Sequence, residues 1–486
     1  MSLRNLIFIL LLIAPKNLYA ALEPEVFVGG QILFNSAVTT QDSAYESETL
    51  PHGTNNENVL DKDNYFDVNS FVDLLVLGKT DSALLYGARV QLDLDAQREH
   101  LYVYDDERNQ TRVDNDSTII TRKAFVFLEK KTFGRIEAGD VEGASKKLKF
   151  DASYRFGGTG GIAGNWWQYV NIPDFGLQYD DSKEDANVSV NCGTDESSDY
   201  AVNDVRCSTG KGNMAFIIRP DLPLAHGYNK VSGADKVNDT LTINRVSYYS
   251  PRISGVQFGI SYGPDSGDRG SSLYGNGITS SQSGDVADVI DWGVNFVQQF
   301  DNNGIGISFT GEQGVAEDTE VTDSSKFVQQ DLFAYALGAY FYTGNASFGA
   351  SFGVWNDSLM LVRQDLNESD DNYRDDQATY FTVGAGYQFG AYKLGISHMS
   401  SEYREQSFSL TSVAFDYRLS KAFSLFAELN NYVFEANPAD VNTSSTLSQF
   451  ETIDNSGQVM LLGAKLNFGE FDSASQILLD TSQNRY

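Results

Sequence analysis

The sequence predicts an all-β protein, a transmembrane antiparallel β-barrel of about sixteen strands. Two observations predict this fold class. Apolar residues alternate strictly with small or polar ones in many short segments, and the connections between these segments alternate between short and long.

The segment GVQFGISYG, residues 255–263, shows the alternation most clearly. Every second residue from Val256 to Tyr262 is large and apolar, and the residues between them are glutamine, glycine or serine. A period of two predicts a β-strand with one apolar face and one small, polar face. A soluble β-sandwich has the same pattern with its apolar face turned inward, so the alternation alone leaves both architectures open. The same split recurs in residues 83–95, 303–310, 346–353 and 423–430.

The lengths of the connections favour the barrel, because a membrane-spanning barrel has tight turns at one rim and long loops at the other. An even number of strands puts both ends of the barrel on the short-turn side, and closure leaves no strand edge unpaired in lipid. A barrel of about sixteen strands is too wide for side chains to fill, so we expect an aqueous channel lined by the small, polar faces. The short connections are 78–81, 130–133, 250–255, 300–304, 343–344, 389–391 and 419–422; the long ones are 36–64, 97–116, 140–240, 264–286, 312–328, 355–375, 400–406 and 435–456.

The first twenty residues have the organisation of a secretory signal peptide. Arg4 precedes an apolar run, residues 6–14, and the segment ends in Leu18-Tyr19-Ala20. The alternative is a membrane anchor, which needs about 20 apolar residues, more than this run provides. We therefore predict export, with residues 1–20 removed and the barrel domain spanning 21–468.

Composition excludes several classes of function. The formal net charge is −31, and loss of the signal peptide removes two positive charges and no acidic ones, which gives −33. Such acidity argues against nucleic-acid binding, which needs clustered lysine and arginine. Four histidines in unrelated settings and two cysteines predict no metal site, no cofactor and no hydrolase chemistry. The acidic stretch 365–376 lacks the glycine and terminal glutamate of an EF-hand loop, which favours a solvated rim over a Ca²⁺ site.

Three stretches resemble the general porins of Gram-negative bacteria, most closely the alphaproteobacterial ones: FGRIEAGDVEGAS (133–145), VSYYSPRISGVQFGISYGPDSG (246–267) and TVGAGYQFGAYKLGISH (382–398). The resemblance covers most of the chain, from residues 27–32 to 461–468. It implies a sixteen-stranded barrel, usually a homotrimer, set in outer-membrane lipid and lipopolysaccharide. Such a channel passes small hydrophilic solutes and ions passively.

The resemblance also implies a pore constriction, formed by a third loop that folds into the lumen and faces arginines on the wall. Carried onto this chain, the wall arginines are Arg122 in TRKAF and Arg245 in NRV, and Arg89 joins them on strand parity alone. The third loop, 140–240, brings Glu142 and Asp151.

Each of these arginines has an alternative interpretation, as an ordinary lumen-facing residue paired with an acid such as Asp93 or Glu137. The glycine-rich run at 156–164 would permit the tight backbone of an inward-folded loop.

Two features depart from the porin pattern. The third loop is unusually long and carries Cys192 and Cys207, which we expect to form a disulfide in an exported protein, worth about 3 kcal/mol in chain-entropy terms. The final strand ends on Phe468, yet residues 469–486 follow it. This C-terminal extension is either periplasmic or a sign of a different assembly signal.

The sequence therefore predicts an outer-membrane diffusion channel and no enzyme. The net acidity favours cations, whereas the arginines make the narrowest point locally positive, so we expect weak cation selectivity. A substrate-selective channel of the same architecture, a surface adhesin anchored by the barrel and a soluble secreted β-protein stay open as alternatives.

Overall fold

Sixteen antiparallel strands close into one barrel, in which the last strand pairs with the first. The fold class and the number of strands predicted from the sequence are confirmed. The computed structural model describes residues 23–43, 63–95, 100–104, 110–114, 119–153, 155–170, 172, 216–226, 242–266, 286–316, 327–358, 361–363, 378–403, 406–435 and 454–469. The barrel strands are β1 (Glu25–Thr40), β2 (Asn64–Lys79), β3 (Leu85–Asp95), β4 (Ile119–Lys130), β5 (Gly134–Glu142), β6 (Thr242–Tyr249), β7 (Val256–Asp265), β8 (Val286–Phe300), β9 (Asn303–Ala316), β10 (Leu332–Thr343), β11 (Ala346–Asn356), β12 (Ala378–Phe389), β13 (Tyr392–Tyr403), β14 (Gln406–Arg418), β15 (Phe423–Glu435) and β16 (Asn455–Gly469).

The two faces of the strands differ as the alternation predicts. On β7, Phe258 and Ile260 are each 48% exposed, whereas Gln257 and Ser261 between them are 6% and 1% exposed. Large apolar side chains cover the outside of the barrel, where they suit contact with lipid. On β7 the residues that point inward are polar or small.

The connections alternate in length around the barrel. Seven of them join strands through two to six residues at one rim, and both β1 and β16 have their free ends at this rim. At the other rim, all but one of the connections are long, and the exception joins β13 to β14 through residues 404–405. Two short two-stranded pairings belong to these long connections. His100–Tyr104 pairs with Gln110–Asp114 within the connection from β3 to β4, and Phe327–Gln329, between β9 and β10, pairs with Leu361–Arg363, between β11 and β12.

The third long connection, from β5 to β6, contains the described helical turns. They are α1 (Ala144–Lys147), the 3₁₀ turns Gly161–Ala163 and Trp166–Tyr169, and α2 (Pro223–His226). The connection begins after Glu142 and ends before Thr242, within two residues of the predicted loop 140–240. No helix in the described ranges is long and apolar enough to cross a bilayer.

Several predictions fall outside the described residues. They concern the signal peptide 1–20, Cys192 and Cys207, the acidic stretch 365–376 and the extension after Gly469. The predicted domain boundaries and the disulfide therefore stay predictions.

Candidate channel constriction

The first part of the third connection runs along the inner wall of the barrel. The backbone N–H of Ala144 donates to Ser261 Oγ on β7 at 2.9 Å, and that of Phe150 donates to Ser308 Oγ on β9 at 2.9 Å. Further on, the N–H of Gly158 donates to a carboxylate oxygen of Asp416 on β14 at 2.8 Å. The chain thus follows the wall from β7 to β14, and it continues past β15 to reach β2 through Thr159–Glu428 and Tyr169–Asp67.

Glycines on the wall make this close approach possible. A Cβ added to Gly349 on β11 would lie 2.8 Å from the carbonyl oxygen of Asp151, and one on Gly384 of β12 would lie 2.7 Å from that of Ala152. A Cβ on Gly338 of β10 would overlap the carbonyl oxygen of Phe150. The sequence predicted that the small residues of the inner face meet water, but here they seat the third connection.

A second part of the connection, residues 216–226, returns in the opposite direction. Its carbonyl oxygens at Ile217 and Asp221 accept hydrogen bonds from Ser401 Oγ on β13 and Trp355 Nε1 on β11, at 2.8 and 2.9 Å. The N–H of Leu224 then donates to Glu312 on β9 at 2.8 Å. Glu312 lies nearer than Ser308 to the long-connection end of β9. The return part therefore lies closer than the first part to the rim that carries the long connections.

Buried charges join the two parts. Asp221 of the return part accepts from Lys146 Nζ at 2.5 Å and also from Lys149, both in the first part. Burial alone would raise the pKa of Asp221, but the charges of Lys146 and Lys149 outweigh it and hold the pKa well below its usual range. Asp221 therefore stays ionised and holds the two parts together.

Three of the five predicted constriction residues are reached by water. The side chain of Arg122 is 46% exposed, that of Glu142 is 21% exposed and that of Arg89 is 19% exposed. Each is paired with an opposite charge: Arg122 Nε lies 3.1 Å from Asp93, Glu142 lies 2.8 Å from Lys123 Nζ, and Arg89 Nε lies 2.9 Å from Asp73.

The other two predicted residues are buried between the third connection and the wall. Arg245 and its partner Asp291 have side chains only 2% and 3% exposed, and Ser145 Oγ donates to Asp291 at 2.7 Å. A Cβ on Gly143 would overlap the ends of these two side chains, so a larger residue there would push the Arg245–Asp291 pair aside. Asp151 is 9% exposed and lies 3.0 Å from Lys149 Nζ.

The sequence reasoning missed Lys123. The register between β3 and β4 shifts between Gln91 and Leu92, which pair with Lys123 and Thr121, so Arg122 is the extra residue of a β-bulge. Lys123 shares the inward face of Phe125 and Phe127, which are 6% and 2% exposed. Counting back by two from these phenylalanines would have found it.

In the part of the chain that the structure describes, no group of three histidine, cysteine, aspartate or glutamate side chains is arranged to hold a metal ion. The inner wall instead combines ion pairs with small residues. Such an arrangement can position a loop and present charge to water, which is what a selective passage needs.

Comparison with known proteins gives a family match over most of the chain. Residues 20–437 match the family model described as Gram-negative porin. Two uncharacterized proteins, from Rickettsia bellii and Rickettsia felis, are each 24% identical over 379 and 382 residues, which cover 71% of this chain and 75% of theirs. The anion-selective porin from Comamonas acidovorans is 14% identical, with a TM-score of 0.49 over 92% of this chain and 100% of that one.

Proposed function

The chain belongs to the Gram-negative porin family, and from this premise we propose that it is an outer-membrane channel for passive diffusion of small hydrophilic solutes and ions. One observation carries the proposal. The closed sixteen-stranded barrel has an apolar outer face and an inner wall with charged side chains that water reaches. A barrel of this size encloses more space than its own side chains fill.

The solute path runs along one side of the lumen. Charges that water reaches lie on β3, β4, the end of β5 and α1, where the side chains of Lys146 and Lys147 are 28% and 23% exposed. Partly exposed charged side chains also lie on the inner face of β13, β14 and β16, at Lys393, Asp416 and Lys465. Nearer the long-connection rim, the side near β13 to β16 is occupied by a cluster of buried apolar residues that includes Trp166 and Phe216 of the third connection. We therefore place the passage beside β3, β4 and the end of β5, on the side of the lumen that this cluster leaves open.

The predicted constriction residues divide into two roles under this proposal. Arg89, Arg122 and Glu142 act on passing solutes, because their side chains meet the water of the lumen. Arg245 and Asp151 hold the third connection in place, since a charge paired and buried away from the lumen contributes little field to the passage.

Weak cation selectivity follows from the same pairing. Each water-reached arginine has an acidic partner within hydrogen-bonding distance, so the pairs are close to neutral. The remaining net charge of the chain is strongly acidic, which raises the local concentration of cations at the mouth. Screening lengths are about 8 Å at physiological salt, so this preference grows as salt is lowered.

Planar-bilayer recording tests the proposal. The purified protein should give stepwise ohmic conductance in KCl and, across a KCl gradient, a reversal potential of the sign expected for cations. At a fixed ratio of the two KCl concentrations, the reversal potential should grow when both solutions are diluted. Absence of conductance from a folded barrel would contradict the proposed channel function. A reversal potential of the sign expected for anions would contradict the proposed cation selectivity.

A further inference from the structure

Strand β14 changes the face that carries its apolar residues halfway along its length. Near the short turns, Phe415 and Val413 point outward and are 40% and 38% exposed, while Ser412 points inward and is fully buried. Nearer the other rim, Phe408 and Leu410 point inward and are 1% and 0% exposed. The outward residues there are Ser407 and Ser409, which are partly exposed.

The neighbouring strands β13, β15 and β16 change face in the same way. The large inward residues of their far halves include Met399, Tyr403, Tyr432 and Phe434, none more than 1% exposed. They pack with the third connection, as in the ring contacts of Trp166 with Phe408 at 5.6 Å and Phe216 with Phe434 at 4.9 Å. An apolar inside and a polar outside is the pattern of a sheet that covers a core in water, not of a wall in lipid.

The change falls on one hydrogen-bonded row of outward residues. The row is His398, Thr411, Asn431, Gln458 and Thr40, from β13 to β1. His398 Nδ1 lies 2.9 Å from Thr411 Oγ1, and Gln458 Nε2 donates to Asn431 Oδ1 at 3.3 Å. The next outward row toward the short turns is entirely apolar: Ile396, Val413, Leu429, Met460 and Val38.

On β12 the outward apolar residues extend closer to the long-connection rim than they do on β13. Ser400 pairs with Phe381 of β12 and His398 pairs with Val383, and these two apolar partners are 47% and 45% exposed. The outer apolar band therefore falls by four residues between β12 and β13, which is roughly 9 to 11 Å along the barrel axis for tilted strands. On β13 the strand leads into the two-residue connection 404–405 to β14, the shortest connection at this rim.

We propose that the outward residues His398, Ser400, Ser409, Thr411, Asn431 and Gln458 form a contact surface for the polar headgroups of the outer leaflet. This headgroup surface brings hydrated headgroups down to the level of His398, and the acyl chains end below it. The inference rests on the outer-membrane placement of the proposed function.

The composition of the headgroup surface fits this partner. Hydroxyl and amide groups turned toward hydrocarbon would lose hydrogen bonds to water, at a cost of about 1 to 3 kcal/mol for each unpaired group. A contact with a second protein would need an apolar, aromatic centre. The one aliphatic side chain in the same rows is Val433, which pairs with Ser409 and is partly exposed. The six named residues carry hydroxyl, amide or imidazole groups, which suit hydrated headgroups.

Site-directed fluorescence quenching tests the proposal. In a Cys192→Ser/Cys207→Ser background, Ser400→Cys and Ser409→Cys each carry a bimane label, and Phe381→Cys and Val413→Cys are the matched controls on the apolar band. The labelled proteins are placed in phosphatidylcholine vesicles with acyl chains brominated or not, and iodide is added to both sides. We expect several-fold stronger iodide quenching at Ser400 and Ser409 than at the controls, and the reverse order for brominated chains.

Two results would overturn the proposal. Strong quenching of the Ser400 and Ser409 labels by brominated chains would put the surface in hydrocarbon. Protection from both quenchers would put a second copy of the chain against it. Conductance of the same vesicles is recorded separately, so that failure of the channel function is distinguishable from failure of the headgroup surface.

Discussion

A single buried carboxylate holds the two parts of the third connection together. Replacing Asp221 by asparagine removes the acidic partner of Lys146 and one of the two acidic partners of Lys149, and breaking a buried pair typically costs about 3 kcal/mol or more. We expect Asp221→Asn to expose the connection to trypsin, whose cleavage after Lys146, Lys147 or Lys149 is read by mass spectrometry. The control is Asp301→Asn, in an exposed short turn. Equal cleavage of the two variants would contradict the role of Asp221.

The pKa of Asp221 also sets the direction of its pH dependence. A carboxyl whose pKa is lowered on folding stabilises the fold above the unfolded pKa of about 3.9, and this stabilisation is lost only as pH falls through the folded value. Because that folded value is well below the usual range, the wild type should keep the connection seated down to pH 4. Thermal melting in detergent at pH 7 and pH 4 checks this. The wild type should melt at a higher temperature than Asp221→Asn at both pH values, and this difference should disappear only in strong acid.

Gly338 is the wall position where a side chain would most directly displace the third connection. An added methyl group would overlap the backbone of Phe150, which cannot yield as a side chain could. We expect Gly338→Ala to fold with a loss of about 1 to 3 kcal/mol and an altered single-channel conductance. The control is Gly390→Asn, in a short turn with open space around it and a left-handed conformation that asparagine tolerates. Identical conductances would show that the connection does not border the passage.

Arg122 is the most exposed of the predicted constriction residues. Its removal takes away one positive charge beside Asp93, which is 31% exposed, and so makes this part of the lumen more negative. Arg122→Ala should therefore raise cation selectivity, most strongly at low salt. Lys131→Ala removes the same charge from an exposed short turn and is the matched control. Reversal potentials across a KCl gradient decide, and an equal shift in both variants would assign the effect to net charge alone.

At the scale of the strands, the alternation of apolar and polar residues was enough to predict most of the fold. Outward residues such as Phe258 and Ile260 follow from period two alone, because hydrocarbon is the one solvent of the apolar band to which they belong. The change of face on β14 could not be found in this way. Leu410 and Phe408 read as outward until the third connection that covers them is known.

The candidate site was less predictable than the strands, for a physical reason. The partners of Arg245 and Asp151, which are Asp291 and Lys149, depend on the course of the third connection along the wall, and pairing over such separations leaves no periodic signal. Lys123 was within reach of parity, but the bulge at Arg122 moved the register by one residue. The periodicity of the sequence thus predicts the strands of the barrel wall, whereas the ion pairs of the candidate site depend on tertiary contacts that the sequence does not show.

The predicted disulfide lies in the same third connection, between Cys192 and Cys207. Exported proteins meet oxidising conditions, so we expect no free thiol in the denatured, unreduced protein. Alkylation followed by mass spectrometry checks this, with the reduced protein as the control. The Cys192→Ser/Cys207→Ser variant should fold to the same barrel and be cleaved faster by protease between residues 180 and 215. Two alkylated cysteines before reduction would refute the bridge.

At the scale of the whole molecule, closure of the barrel governs how the protein behaves in detergent. All sixteen barrel strands pair on both edges, so the barrel has no unpaired strand edge at which detergent or water could begin to separate the strands. Unfolding must therefore break the closed ring of strands cooperatively. Unheated protein in dodecyl sulfate should keep its strands and migrate differently from boiled protein. Circular dichroism should show mainly β-structure, because the described helices have four residues each.

The number of subunits is the last prediction, and it rests on membership of the porin family. We expect the unheated protein to migrate as a homotrimer and to pass through a monomer on stepwise heating. The headgroup surface on β13 to β16 lacks the apolar centre of a protein interface, so subunits should meet elsewhere on the barrel. Oxidative cross-linking of the same cysteine variants without the label, together with light scattering, tests both statements: Ser400→Cys and Ser409→Cys should give no dimer band, while light scattering of the detergent complex gives three chains. A disulfide-linked dimer through Ser409→Cys in the native trimer would place the interface on the headgroup surface, and a monomer by light scattering would exclude the trimer.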